Sequence, residues 1–162
     1  MLEVSGLFLF EQNPCSYKGF TLNRLKISMS LADRNRMTII RFYKALQDGD
    51  GKTMLSFYDK DVEQIEWPNQ LKPEGGRRNL AQMAADFARS QGTLLSQAYD
   101  LKSLVCSDEH VAVEAVWEGV LAISIGRLQV GDRMKAHICN LFTLRNDKII
   151  SQRNYDCFEA FN

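Results

Sequence analysis

Apolar residues in the first half of the chain recur with the period of an α-helix. The side chains spaced i, i+3, i+4 and i+7 on one face are those of Ile39, Phe42, Tyr43 and Leu46. Ser30 precedes Asp33 by three residues, which is the spacing of a capping box with Asp in place of the usual Glu. Residues 48–51 (DGDG) end the pattern. The pattern predicts a first helix that begins at Ser30.

Two more helices and one strand are predicted after this first helix. A short second helix contains four apolar residues within positions 54–58. A strand follows at 62–67 and ends at Pro68, because proline cannot donate a hydrogen bond to a sheet. Residues 73–76 are predicted as a loop, and a third helix spans about 79–90.

The remainder of the chain has the pattern of β-strands. Apolar residues alternate with mostly polar or small neighbours at Val111, Val113, Ala115 and Trp117. Strands are predicted at 94–105, around this alternating segment, at 134–144 and at 149–157, the last two forming a hairpin. The order is three helices around one early strand, then a four-stranded antiparallel meander. Helices and strands segregated in this way favour an α+β fold.

Composition limits the kinds of partner. The 162 residues suit one domain, predicted at 30–162, and residues 1–29 are predicted as an N-terminal extension because they show no sustained period. Lysine and arginine number 20, as do aspartate and glutamate, so no basic excess indicates nucleic-acid binding. No segment has the length and apolarity of a membrane span. The four scattered cysteines indicate reduced thiols and a cytoplasmic location.

Two segments carry a resemblance to a known family. Residues 42–50 (FYKALQDGD) and 147–156 (DKIISQRNYD) are similar to the end of the first helix and to the last strand of SnoaL-like and ketosteroid-isomerase-like proteins of the nuclear transport factor 2-like superfamily. The resemblance covers about residues 31–160. It implies a cone-like α+β barrel in which three helices pack on a strongly curved, mainly antiparallel sheet around a closed apolar pocket. Members include polyketide cyclases, a steroid isomerase, epoxide hydrolases, a dehydratase and domains that only bind.

The resemblance also implies where catalytic carboxylates would lie. The isomerase base, just before the proline of the first strand, corresponds to Trp67. The second oxyanion donor of the isomerases corresponds to Asn140, and the acid/base Asp of the cyclases and epoxide hydrolases corresponds to Asn154. None of these three side chains transfers a proton, so a standard isomerase or cyclase reaction is disfavoured.

Other acidic and phenolic groups lie near these positions. Asp156 follows Asn154 by two residues and therefore shares its face of the last strand. Glu66 lies next to Trp67 on the opposite face, and it reaches the pocket only if the strand register slips by one residue. Tyr43 follows Phe42, the residue at the oxyanion-tyrosine position, and is either a group at the cavity mouth or a packing residue. Asp156 and Glu66 are the candidate catalytic residues.

The predicted hairpin brings amide side chains together. If the turn pairs Arg145 with Ile149, Asn140 lies opposite Asn154 and Gln152 shares their face. These amides either orient a ligand or satisfy one another and the neighbouring backbone. The predicted ligand-binding residues are Phe42, Tyr43, Phe57, Trp67, Phe87, Trp117, Asn140, Phe142, Gln152 and Asn154.

No metal or cofactor site is predicted. His110 and His137 show no ligand spacing, and His137 has the strand parity of the outer face. Nucleotide-binding loops and the serine-hydrolase motif are not found in the sequence. Glu114 interrupts an apolar strand, either as a paired charge at an interface or as a cavity carboxylate.

Three functions remain open at this point. The first is an enzyme that acts on a small, largely apolar ring compound (polyketide-, steroid- or terpenoid-like) by proton transfer or water activation. The second is a domain that only binds such a ligand, and the third is a dimerising domain with an incidental cavity. The resemblance also implies a homodimer, because such domains expose an apolar outer sheet face, on which Cys139, Leu141 and Tyr155 would lie in the predicted register.

Overall fold

The computed structural model describes residues 29–161, so the predicted extension lies outside the described residues apart from Met29. The helices are α1 (Leu31–Gln47), α2 (Gly51–Ser56) and α3 (Leu80–Ser90). The strands are β1 (Tyr58–Glu66), β2 (Gly76–Arg78), β3 (Leu94–Cys106), β4 (His110–Leu121), β5 (Arg133–Arg145) and β6 (Lys148–Phe158). The α+β fold class is confirmed: three helices pack against one six-stranded, mainly antiparallel sheet.

Local side-chain bonds define where the helices begin. The Ser30 hydroxyl accepts a hydrogen bond from the backbone N–H of Asp33 at 3.1 Å, which confirms the predicted N-cap of α1. Asp50 caps α2 through the backbone N–H of Thr53 at 2.9 Å. Asn79 caps α3 in a complete capping box with Gln82. Each cap satisfies backbone donors that have no partner within the helix.

The strand order across the sheet is β2-β1-β6-β5-β4-β3. Among the described strands only the β1–β6 pair is parallel, and it joins the first part of the sheet to the meander. The sequence did not predict β2, and it placed the start of β1 four residues too late. Strand β2 was missed because it has only three residues, a glycine and two arginines, and so shows no hydrophobic alternation.

The β5–β6 hairpin has the predicted pairs but a different turn. Asn140 pairs with Asn154 and Phe142 pairs with Gln152, as predicted. Arg145, however, pairs with Lys148 rather than with Ile149. The two turn residues, Asn146 and Asp147, both have positive φ, as in a type I′ turn. A register shift between Thr143 and Leu144 then restores the predicted pairs in the rest of the hairpin.

The core lies between α1 and the inner face of the sheet. Phe42 is 2% exposed, and its ring makes edge-to-face contacts with Tyr43, Tyr58 and Phe142 at centroid distances of 5.4–5.6 Å. Within residues 29–161, no helix is both long and apolar enough to cross a membrane.

Candidate functional site

A cavity of about 270 Å³ lies between the helices and the inner face of the sheet. Its lining residues are Phe42, Leu46, Met54, Tyr58, Gln64, Arg78, Met83, Asp86, Phe87, Ser90, Tyr99, Ile138, Asn140, Gln152, Asn154 and Asp156. The helices supply mainly apolar side chains, whereas the strands supply most of the polar ones. Ser90 is exposed, so the cavity reaches the surface there. The expectation of a closed apolar pocket is therefore wrong, because half of the wall is polar.

A short chain of hydrogen bonds runs along the polar wall. Buried Tyr58 donates from its hydroxyl to Gln152 Oε1 at 2.5 Å. Gln152 Nε2 in turn donates to Asn154 Oδ1 at 2.7 Å. The second bond engages the carbonyl oxygen of Asn154 and leaves its amide N–H groups as donors for a ligand. The amides thus form some of their hydrogen bonds with each other, and the Asn154 amide still offers N–H donors to the cavity.

Tyr43 supports this wall without lining the cavity. Asn140 Nδ2 donates to the Tyr43 hydroxyl at 2.9 Å, and both side chains are buried. Burial raises the pKa of Tyr43, so its phenol stays protonated. The structure therefore places Tyr43 behind Asn140 and not at the cavity mouth. From this position its hydroxyl orients the Asn140 amide.

Asp156 is a half-buried carboxyl group in the cavity wall. Burial is the main reason that its pKa rises to about 6, and the negative charge of Glu66 adds to the rise. The positive charge of Arg78 acts in the opposite direction. A carboxyl group with this pKa exchanges protons close to neutral pH, which is the property that general acid–base catalysis requires.

Tyr99 is a cavity residue that the sequence reasoning missed. It lines the cavity from β3, and burial is the main reason that its pKa is raised, with smaller contributions from Tyr43 and Asp156. Its phenol is therefore a neutral hydrogen-bond donor in the same cavity wall as the Asp156 carboxyl group. Within β3, Gln97, Tyr99 and Leu101 share the less exposed parity. That alternation was the signal that could have identified it.

Arg78 is a second missed residue, and it organises the charges of the site. Its Nη2 donates to Glu66 Oε2 at 2.6 Å, and its Nη1 donates to Asp86 Oδ2 at 3.1 Å. Lys72 Nζ also lies 3.4 Å from Glu66 Oε2. Arg78 belongs to the unpredicted β2, so its approach to the cavity has no signal in the local sequence.

The side chain of Glu66 faces the interior, contrary to the predicted orientation of this strand. Gln64, two residues earlier, is 7% exposed, so the even-numbered positions of β1 point inward. Glu66 is held by Arg78 and Lys72, and it does not line the cavity. It adjusts the electrostatics of Asp156 and is poorly placed to take a proton from a ligand.

Three buried polar atoms along the cavity wall have no hydrogen-bond partner among the described residues. They are Gln64 Oε1, Arg78 Nε and Asn140 Oδ1. Unsatisfied buried polar groups are costly and rare in folded proteins. A binding site retains such groups when a ligand or a bound water completes their bonds.

Besides Tyr43, four of the predicted ligand-binding aromatic residues lie outside the cavity wall. Trp67 is 43% exposed and packs against Tyr155 on the outer face, with ring centroids 6.0 Å apart. Its position follows from strand alternation, since Glu66 points inward. Phe57, Trp117 and Phe142 pack in or against the core instead, because their neighbours on α1 and in the meander close over them. Phe42 and Phe87 do line the cavity.

The remaining residues singled out in the sequence lie on the outer face of the sheet. His137 is exposed and hydrogen-bonds Glu159 at 3.0 Å, as its strand parity predicted. Glu114 is exposed on the outer face of β4, which excludes the cavity-carboxylate interpretation. Cys139 and Tyr155 are exposed on this face, and Leu141 is half-buried there.

Comparisons with known proteins agree with this architecture. The SnoaL-like domain family model matches residues 39–152, and no curated protein matches the chain by sequence. The structure is similar to AclR, a "putative hydroxylase" from Streptomyces galilaeus, with a TM-score of 0.64, 14% identity, and coverage of 78% of this chain and 90% of that chain.

Two other solved structures are similar. One is a "putative polyketide cyclase" from Xanthomonas campestris pv. campestris, with a TM-score of 0.63, 22% identity, and coverage of 78% of this chain and 92% of that chain. The other is an LEH-like epoxide hydrolase from M. tuberculosis, with a TM-score of 0.60, 18% identity, and coverage of 79% and 84%. These likenesses support the fold, and the family model covers more than half of the chain. The chain belongs to the SnoaL-like domain family.

Proposed function

We propose that the protein binds a small, largely apolar ring compound in the cavity and moves a proton on it, with Asp156 as the general base. The observation that carries the proposal is a half-buried carboxyl group in the cavity wall whose pKa is raised to about 6. Family membership supports a pocket that binds or converts a small molecule. The cavity volume lies just below the roughly 300–1,000 Å³ range of small-molecule sites, which suits one or two fused rings.

The proposed roles follow from the position of each group. At about pH 7 most Asp156 is ionised, and it is a stronger base than an exposed aspartate because its conjugate acid is weaker. It removes a proton from an acidic C–H group, or from a water molecule that attacks the ligand. Negative charge that develops on a ligand oxygen is stabilised by the Asn154 amide and the Tyr99 hydroxyl. The proton on Asp156 then returns to another atom of the same ligand.

The second candidate is a domain that only binds its ligand. The observation that favours it is the amide-rich wall, because Asn140, Gln152 and Asn154 hold a ligand without transferring a proton. The two functions differ in what Asp156 does. A base is essential for turnover, whereas a bystander carboxylate is not.

A substrate that reports any well-placed base tests the proposal without knowledge of the natural ligand. The probe is 5-nitrobenzisoxazole, a small, largely apolar bicyclic compound. A carboxylate removes its ring C–H proton, the N–O bond breaks, and the product is the coloured 2-cyano-4-nitrophenolate. We expect turnover that rises with pH to a plateau with a midpoint of about 6, and a loss of about 100-fold or more in Asp156→Asn.

The matched control is Glu114→Gln, which removes a carboxylate from the outer face. It should leave turnover unchanged. If the wild type is no faster than free acetate at equal carboxylate concentration, or if Asp156→Asn retains full turnover, Asp156 is not a base and the binding-only function is favoured.

We also propose that the protein is a cytoplasmic homodimer that associates through its outer sheet face. Exposed Trp67 and Tyr155 pack together there, and Leu141 lies on the same face of the meander. Sedimentation equilibrium at micromolar concentration measures the mass, and a stable monomer of 18.5 kDa would contradict the dimer. Cys106, Cys139 and Cys157 are free thiols, which suits a reducing compartment.

A further inference from the structure

We infer that Gln64 and Arg78 form a hydroxyl-binding subsite in the cavity, so that the ligand is an alcohol or a phenol. The inference rests on the proposed small-molecule function and specifies the chemistry of its ligand. Gln64 and Arg78 are direct cross-strand partners in the β1–β2 ladder. Both line the cavity, and each has a buried polar atom without a partner among residues 29–161.

The two unpartnered atoms are complementary in type. Gln64 Oε1 accepts hydrogen bonds, and its residue is only 7% exposed. Arg78 Nε–H donates, and the guanidinium is held in place because Glu66 and Asp86 engage its two Nη groups. The acceptor and the donor therefore lie side by side on neighbouring strands and do not bond each other. A buried pair of this kind is satisfied by one group that both donates and accepts.

Among common ligand groups, a hydroxyl meets this requirement. Its O–H donates to Gln64 Oε1 while its oxygen accepts from Arg78 Nε–H. A ketone or an ether leaves Gln64 unsatisfied, because neither carries a donor. An ammonium group leaves Arg78 unsatisfied, because it has no acceptor.

The charges around the cavity disfavour an anionic ligand. Three carboxyl groups, those of Glu66, Asp86 and Asp156, lie in or beside the wall. The cations beside them are Arg78, Lys72 and the exposed Arg89, and all three already pair with Glu66 or Asp86. Asp156 has no ion-pair partner among the described residues, and its charge would repel a further negative charge, so a carboxylate or phosphate does not fit the subsite. A neutral hydroxyl carries no such cost.

The subsite also sets the direction in which a ligand lies. Gln64 pairs with Gln152 on β6, and Asp156 lies four residues further along the same strand. At about 3.3 Å per residue, these two positions on β6 are roughly 13 Å apart. Asn154, midway between them, lines the same cavity. A two-ring compound whose hydroxyl is held by Gln64 and Arg78 therefore directs its far ring toward Asp156.

Shape-matched probes test the subsite. 2-Naphthol and 2-methylnaphthalene have nearly the same shape and differ in one hydroxyl group. We expect isothermal titration calorimetry to give a dissociation constant about tenfold lower for 2-naphthol, since one well-made hydrogen bond contributes about that factor. In Gln64→Met the preference should fall to less than about twofold, while 2-methylnaphthalene binds as before. The control is Gln97→Met, the same change at a glutamine outside this cavity whose amide nitrogen and oxygen each have a partner, and it should retain the preference.

A second measurement does not depend on any variant folding. In wild-type protein, the NMR signal of the Arg78 Nε–H group should shift with 2-naphthol and stay in place with 2-methylnaphthalene. Equal affinity for the two probes, or an Arg78 signal that both probes shift alike, would overturn the subsite. Water would then be the hydrogen-bond partner of Gln64 Oε1 and Arg78 Nε. If that happens while Asp156-dependent turnover of 5-nitrobenzisoxazole persists, only the subsite fails. A naphthol preference without turnover would instead contradict the base.

Discussion

Replacing Asp156 by Asn should stabilise the folded protein at neutral pH while it abolishes proton transfer. The pKa of Asp156 rises from an ordinary 3.8 to about 6, chiefly through burial. Each pKa unit corresponds to about 1.4 kcal/mol, so the ionised carboxylate costs at most about 3 kcal/mol of folding free energy. Asp156 is only half-buried, and solvent screening reduces this cost to about 1–2 kcal/mol.

The sign of the pH dependence follows from proton binding. Between about pH 4 and pH 6 the folded state binds this proton and the unfolded state does not, so the stability of the wild type falls as the pH rises through that window. Below about pH 4 the carboxyl group is neutral in both states, and the penalty disappears. Asparagine never carries the charge. The stability advantage of Asp156→Asn should therefore be near zero at acidic pH and reach its full size above about pH 6.

Urea denaturation of the two proteins at several pH values measures this advantage directly. Other carboxylates with shifted pKa values, such as Asp50 and Glu159, occur in both proteins, so their contributions cancel in the difference. An Asp156→Asn protein that is less stable than the wild type at neutral pH, or a difference that does not change with pH, would refute the reasoning. An Asp156→Asn protein that is more stable than the wild type but has lost turnover is the expected result, because the carboxylate serves function while it lowers stability.

Two further changes test the wall of the cavity. A Cβ atom at position 51 would lie 2.2 Å from Phe87 Cε1, so Gly51→Ala should displace that ring, cost about 1–3 kcal/mol in urea denaturation and weaken 2-methylnaphthalene binding. Arg78→Met removes the cation that joins two partly buried carboxylates and leaves them only the more exposed Lys72 and Arg89, and we expect it to cost about 2 kcal/mol or more. Its control is Arg77→Met, which breaks only the exposed pair with Glu63 and should cost less than about 1 kcal/mol; equal costs for the two variants would contradict the buried network.

The sequence determined the features that depend on nearby residues. Helix α1 begins where Ser30 caps it, and α3 occupies the predicted segment, because caps and a 3.6-residue period act within one or two turns. The pairing of Asn140 with Asn154 was also predictable, since a short hairpin fixes the register of its own strands. Asp156 entered the candidate site by the same local rule, as the next residue on the face of Asn154.

The tertiary structure alone decided which face of β1 points inward. The family resemblance placed Trp67 at the pocket, in the position before the proline, and Ile65 and Trp67 also form the more apolar side of this strand. The parallel pairing with β6, about 90 residues away, instead turns Gln64 and Glu66 inward, because the inner face here borders a partly polar cavity. The pattern of one strand cannot reveal such an inversion, since it records only which side is more apolar.

The charged part of the site was decided in the same way. Arg78 reaches the cavity because a three-residue strand pairs with the edge of β1, and Tyr99 faces it because β3 wraps along α1. Phe142 and Trp117, in contrast, pack into the core on the faces that their alternation predicted. Local periodicity fixes the face of a strand on which a side chain lies. Whether that face meets other side chains or an open cavity depends on the curvature of the whole sheet and on contacts between residues far apart in the chain.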